Sequence, residues 1–198
     1  MDTDPRAERS RIALVDAITD LGELPGDPPS VSAVTRAAQV HRATFYNHFD
    51  SVEHLAVTAI SEHLERLRAA DYSDRHSGVE PAAVGTRTLD DILAFFQSHP
   101  GLYRLATAWV APSGLSGVVE LVRREVRAFR AEFKPSPTGG TGAGAAVVDD
   151  EVAVEDVYLA GGMAAVFAAV LGGELADGTA SPRLLELLPA WMQHPTRD

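Results

Sequence analysis

The chain has no cysteine in its 198 residues. That excludes a disulfide framework, a thiolate nucleophile and a zinc–thiolate site. A reducing compartment suits such a chain, and the expected location is the cytoplasm. Lysine is nearly absent too: Lys134 is the only one among 17 basic residues. The N-terminus, MDTDPRAERSR, has no apolar core of the kind a secretory leader needs. The longest apolar stretch, Leu159 to Leu171, is too short to span a bilayer and is rich in Ala and Gly, so a buried helix is expected and no membrane partner.

Catalytic signatures are missing as well. There is no Gly-rich phosphate loop, no HExxH pattern and no nucleophile elbow. None of the seven histidines has a second at the i+4 spacing of a helical metal pair. The acids Asp149, Asp150, Glu151, Glu155 and Asp156 resemble a ligand cluster, but a helix start attracts acids through its dipole. Neither an enzyme nor a resident metal or cofactor is expected. A net charge of −11 further excludes indiscriminate binding to nucleic acid.

What is present is ordinary globular material, 45% hydrophobic and 23% charged, with helical periodicity almost throughout and no alternating strands. The expected fold class is all-α. A first helix spans Arg6 to Leu24, with Ile12, Leu14, Val15, Ile18 and Leu21 as its apolar stripe. Ser30 caps a second through Ala38. Gln39-Val40 turns the chain, and His41 opens a third helix that runs to Phe49. Asp50-Ser51 caps a fourth, reaching Ala70, and residues 71–81 read as a loop. Further helices are expected over Ala82 to Ser98, Leu102 to Val110 and Leu115 to Phe133, the last with an outer face of Arg123, Arg124, Arg127 and Arg130. The run 135–146, PSPTGGTGAGAA, has little to bury and reads as a mobile loop. A helix from Asp149 to Leu171 and a last one from Pro182 to Met192 complete the chain.

The segment from Ser30 to Leu55 carries the most chemistry. At about 100° per residue, Phe45 and Phe49 share one side of the third helix. Ala43 and Asn47 point the opposite way, with Thr44 and His48 on one flank and Arg42 and Tyr46 on the other. A short exposed helix of this kind fits a DNA major groove. Arg42 suits a guanine edge, Asn47 an adenine, and Ala43 or Thr44 a thymine methyl. Tyr46 and His48 suit the flanking phosphates, and Ser32 on the preceding helix is a further candidate contact. An ordinary bundle also contains helix, turn, helix with buried phenylalanines, and residues 1–55 hold nine acids against five arginines.

Ser30-Val31, Val34, Ala38, Val40, Thr44-Phe45-Tyr46, His48-Phe49, Ser51-Val52-Glu53 and Leu55 together resemble the helix-turn-helix signature of the TetR family of bacterial transcriptional regulators. TFYNHF is the most specific part. The resemblance covers the first quarter of the chain by motif. Two positions depart from it. Gln39 stands where the family usually has Gly, and Val52 where it usually has a phosphate-binding Lys. Arg9, Arg11 and Arg36 remain as phosphate partners.

The resemblance implies a helix-turn-helix domain over 1–55 and a ligand-binding and dimerisation domain over 56–198. It implies a homodimer through the last two helices, a double-stranded DNA operator of near-palindromic form, a small-molecule effector, and repression as the usual sense. Phe95, Phe96, Tyr103, Trp109, Tyr158, Met163 and Phe167 lie on the helices that the family wraps around its pocket, though core packing accounts for any one of them more readily. Leu184, Leu185, Leu187, Leu188, Trp191 and Met192 give the last helix more apolar surface than it needs alone, unless it covers its own subunit's core. The competing function is a ligand-sensing dimer with weakened or lost DNA binding.

Overall fold

The computed structural model describes residues 5–133 and 153–193. Among them are ten helices and no strand. They are α1 Pro5–Gly22, α2 Val31–Ala37, α3 Arg42–Tyr46, α4 Val52–His76, α5 Pro81–Ser98, α6 Pro100–Ala108, α7 Gly117–Phe133, α8 Val154–Leu171, α9 Asp177–Leu187 and α10 Ala190–Gln193. The fold class is all-α.

Local chemistry fixes the helix starts. Ser30 Oγ accepts from Ala33 N–H at 3.3 Å and Ser51 Oγ from His54 N–H at 3.2 Å. The Glu80 carboxylate accepts from Ala82 and Ala83 N–H at 3.0 and 2.6 Å, with Pro81 occupying the first helical turn. Each cap satisfies donors that a helix start leaves without partners.

Several boundaries differ from expectation. Helix α3 ends at Tyr46, and the chain to Phe49 is held by turn bonds from His48 N–H and Phe49 N–H to the Phe45 carbonyl. Helix α4 continues to His76, so most of the expected loop 71–81 is helical. The expected last helix is in two pieces, since Pro189 separates α9 from α10. It also begins earlier, at Asp177, with Pro182 inside it. The run 135–146 and the acids 149–151 lie outside the described residues.

One apolar core runs the length of the molecule. Leu14, Val15 and Ile18 of α1 are buried in it, whereas Ile12 is 46% exposed and leaves the predicted stripe. Phe45 and Phe49 are buried beside Val34 and Leu55. Helix α4 crosses from this end into the remaining helices, with Ile60 and Leu64 buried along it. Two glycines permit close packing there. A Cβ on Gly117 would sit 2.4 Å from the Ala106 carbonyl oxygen and 2.8 Å from Val57 Cγ2. A Cβ on Gly22 would meet Leu102 Cγ at 2.6 Å. Helix α6 is thereby seated against α1, α4 and α7 at once.

The expected arginine face of α7 is largely paired. Arg123 binds Glu120 at 2.5 Å with little exposure, and Arg130 reaches the buried Asp156 of α8 at 2.8 Å. Only Arg124 of the four is exposed. Helix α8 is the one described helix long and apolar enough to cross a membrane, and Leu159, Met163, Phe167 and Val170 on one side of it are buried in the protein core.

Candidate nucleic-acid interface and apolar cavity

At the N-terminal end, α3 is held from below and free above. Phe45 and Phe49 anchor it, their ring centroids 6.0 Å apart. Arg42, Ala43, Tyr46 and Asn47 are exposed, Thr44 and His48 half-buried, and Ser32 exposed on α2. The seven candidate DNA contacts therefore belong to one neighbourhood of α2 and α3. Arg42 lies along its own helix: its Nη2 donates to the Tyr46 hydroxyl at 3.1 Å, and its guanidinium stands 5.6 Å from that ring's centroid. This preorders two side chains that would face a groove.

The turn before α3 places Gln39 at φ 55°, the left-handed region that favours glycine. A glutamine there carries mild backbone strain. Val52, where a phosphate-binding lysine would stand, packs against the core. Among the arginines named as phosphate partners, Arg9 and Arg36 are exposed. Arg11 is committed elsewhere. It binds Glu8 at 2.9 Å and Glu62 at 2.5 Å, and those two carboxylates raise its already high pKa.

At the other end, residues of α4, α5, α7, α8, α9 and α10 line a partly open cavity of about 100 Å³. Of the residues expected to line a pocket, Phe96, Met163 and Phe167 do so. Phe95, Tyr103, Trp109 and Tyr158 do not. Phe95 is stacked between His63, at 3.8 Å, and His99, at 4.2 Å. Tyr103 meets Phe96 edge-on at 5.1 Å, from outside the cavity, and burial pushes its hydroxyl pKa up. Trp109 lies against His54 at 6.0 Å and so belongs to the junction with the N-terminal end. Tyr158 is 77% exposed.

The polar part of the cavity wall was not anticipated. Arg68, Asp71 and Arg75 of α4, Thr88 of α5 and Glu125 of α7 all line it. The Arg75 Nε donates to Asp71 Oδ2 at 2.5 Å and its Nη2 to Oδ1 at 3.2 Å. The Thr88 hydroxyl donates to the same Oδ1 at 2.9 Å. Arg68 faces Glu125 at 3.3 Å and binds Glu132 at 2.6 Å. Burial holds the Glu125 carboxyl above the usual carboxylate range, more than the Arg68 charge lowers it. A signal did exist. Ile60, Leu64 and Leu67 form the inward stripe of α4, and Asp71 and Arg75 continue it at helical spacing. Their polarity and the expected loop concealed that register.

Among the described residues no three His, Asp or Glu side chains are grouped to hold a metal ion. These features define a class: a helical protein with an exposed short helix at one end and an apolar cavity with buried charge at the other. No family model matches the chain, and no curated protein matches it. Solved structures resemble it weakly. The fatty acid degradation regulator FadR from Bacillus halodurans is 14% identical with a TM-score of 0.47, covering 96% of this chain and 98% of that one. A Clostridium perfringens protein, provisionally described as a fatty acid metabolism regulator, is 12% identical with a TM-score of 0.43, covering 87% and 94%. Likeness at this level says nothing of what this chain binds.

Proposed function

We propose that the chain is a ligand-responsive, sequence-specific DNA-binding transcriptional regulator that works as a homodimer. The observation that carries this reading is α3 itself. Its apolar side is locked by Phe45 and Phe49, while Arg42, Ala43, Tyr46 and Asn47 are left on the surface. Such a helix enters a major groove with its base-reading side chains foremost. Residues 1–55 act as the DNA-binding domain and 56–198 as the sensing and dimerisation domain, with α4 shared between them. A two-fold dimer spaces two recognition helices roughly 34–36 Å apart, or a small multiple of that, on a near-palindromic operator.

Repression relieved by a small molecule is the favoured sense. Helix α4 starts beneath α3 and ends on the cavity wall, where Leu64, Leu67, Arg68, Asp71 and Arg75 line it. A ligand that prefers one position of α4 shifts the spacing of the recognition helices, and only through that differential affinity.

The test is an electrophoretic shift with the gene's upstream intergenic DNA at two salt concentrations. Arg42→Ala and Asn47→Ala should each weaken specific binding by about 5- to 150-fold, the loss of one base contact at roughly 1–3 kcal/mol. Unchanged affinity in both variants would remove the recognition-helix assignment. The second reading, a ligand-sensing dimer with weakened or lost DNA binding, is favoured by the engagement of Arg11 with Glu8 and Glu62 and by the strained Gln39. It predicts no specific shift at either salt concentration.

A further inference from the structure

The buried polar groups around the cavity differ in how fully they are used. Asp71 is well used: Oδ2 takes the Arg75 Nε, and Oδ1 takes both Arg75 Nη2 and the Thr88 hydroxyl, three of a carboxylate's roughly four acceptor positions. Arg75 is not. Its side chain is only 6% exposed, yet its Nη1 is buried with no hydrogen-bond partner. Leaving buried N–H donors unmade is costly, more so on a charged group. The guanidinium is held firmly all the same. Asp71 grips one edge, and the Phe129 ring centroid lies 5.4 Å from Cζ. Apart from Arg68, Asp71, Arg75, Thr88 and Glu125, the cavity wall is hydrocarbon, including Phe96, Val126, Met163 and Phe167.

We propose that this cavity binds a compact apolar molecule whose one polar head accepts hydrogen bonds and donates none, seated on the free Nη1 of Arg75. This rests on reading the cavity as the effector site. An acceptor head completes the hydrogen bonding of Arg75, whereas a donor head meets an Asp71 that already accepts three hydrogen bonds. Size follows from volume. An apolar cavity of about 150 Å³ admits benzene, and here about 100 Å³ is open. One ring or a short branched chain fits once the flexible Met163 and Met192 side chains give way. A carboxylate and a carbonyl both present the required acceptor.

The test uses the full chain without DNA and four single-ring probes: benzoate, acetophenone, benzylamine and toluene. Calorimetric titration should give benzoate or acetophenone, or both, at least tenfold tighter than toluene, with benzylamine not binding. Which acceptor is preferred then identifies the head as charged or neutral. Toluene or benzylamine binding as tightly as the acceptors, or no binding by any of the four, would overturn the proposal. The double variant Asp71→Asn, Arg75→Gln removes the ion pair without stranding one charge, and should reduce the acceptors to the level of toluene. If that variant does not fold, the nitrogen resonances of the Arg75 guanidinium in the unaltered protein decide. They should move with the tighter acceptor probe and stay in place with toluene, and failure to move overturns the assignment. A protein that binds these probes but no operator keeps this inference and loses only the regulatory reading.

Discussion

At the scale of single residues, Gln39 and Val52 are where this chain departs from the helix-turn-helix signature that it resembles. A side chain at φ 55° costs roughly 1–2 kcal/mol against right-handed geometry. Glycine there removes the strain but adds about 0.5–1 kcal/mol of unfolded-chain entropy. Gln39→Gly should therefore stabilise the fold by up to about 1.5 kcal/mol, read as a higher midpoint in urea with an unchanged slope. A loss of stability would mean that the Gln39 side chain makes contacts worth more than the strain. Under the proposed function, position 52 bears on DNA rather than on folding. Only partly buried at the start of α4, it leaves room for a long side chain to reach outward. Val52→Lys should tighten binding on all DNA sequences alike and steepen the salt dependence by about 0.9 per subunit. A sequence-selective gain, or an unchanged slope, would place position 52 away from the phosphates.

At the scale of helices, the stack of His63 on Phe95 ties α4 to α5 and sets a pH response. Burial lowers the His63 pKa below its ordinary 6.5, and the charges of Arg66 and His99 lower it further, against a smaller opposing pull from Asp91. The folded state thus binds a proton at this site less readily than the unfolded chain does. Stability is lost as pH falls through 6.5, where the unfolded histidine takes its proton first, and the loss levels off below the folded value. His63→Phe keeps a ring against Phe95 and removes the titration. Thermal midpoints measured from pH 7.5 to 5.5 should fall less in the variant than in the unaltered chain. Parallel curves would assign the pH response to other groups.

Legibility also varies by helix. The elements around α2 and α3 were readable because they rest on local chemistry: Ser30 and Ser51 as caps, Phe45 and Phe49 four apart. The end of α4 was not readable, because Asp71 and Arg75 look like loop residues until Thr88 and Phe129 from other helices cover them. The same limit applies to the pocket. Aromatic content pointed to Phe95, Trp109 and Tyr158, but only tertiary packing decides that Phe95 stacks on histidines and that Tyr158 faces out. Arg11 was read as free for the same reason, its partner Glu62 being 51 residues away.

At the scale of the whole molecule, the unresolved surplus of apolar surface has moved. Leu184, Leu185, Leu188 and Met192 are buried within their own subunit, leaving Leu187 at 76% exposed on α9. The larger uncovered face is on α8. Val154 and Tyr158 are 85% and 77% exposed one turn apart, and a Cβ on Gly161 or Gly162 would meet nothing within 4 Å. Small residues beside large exposed apolar ones allow a second helix to approach closely, and contiguous apolar surface on a soluble protein marks an interface. In a two-fold dimer one substitution acts twice. Tyr158→Glu places a carboxylate on each copy of that face while touching little in its own subunit, so the monomer should keep its helical circular dichroism and its thermal midpoint. Sedimentation should show the dimer shifted to monomer. Operator affinity should fall by about 10²- to 10⁴-fold, the advantage of joining two half-site contacts, while binding to a single half-site is unchanged. A Tyr158→Glu protein that sediments as the unaltered chain does would move the dimer interface off α8. An unaltered chain that sediments as a monomer would remove the two-fold reading of the operator with it.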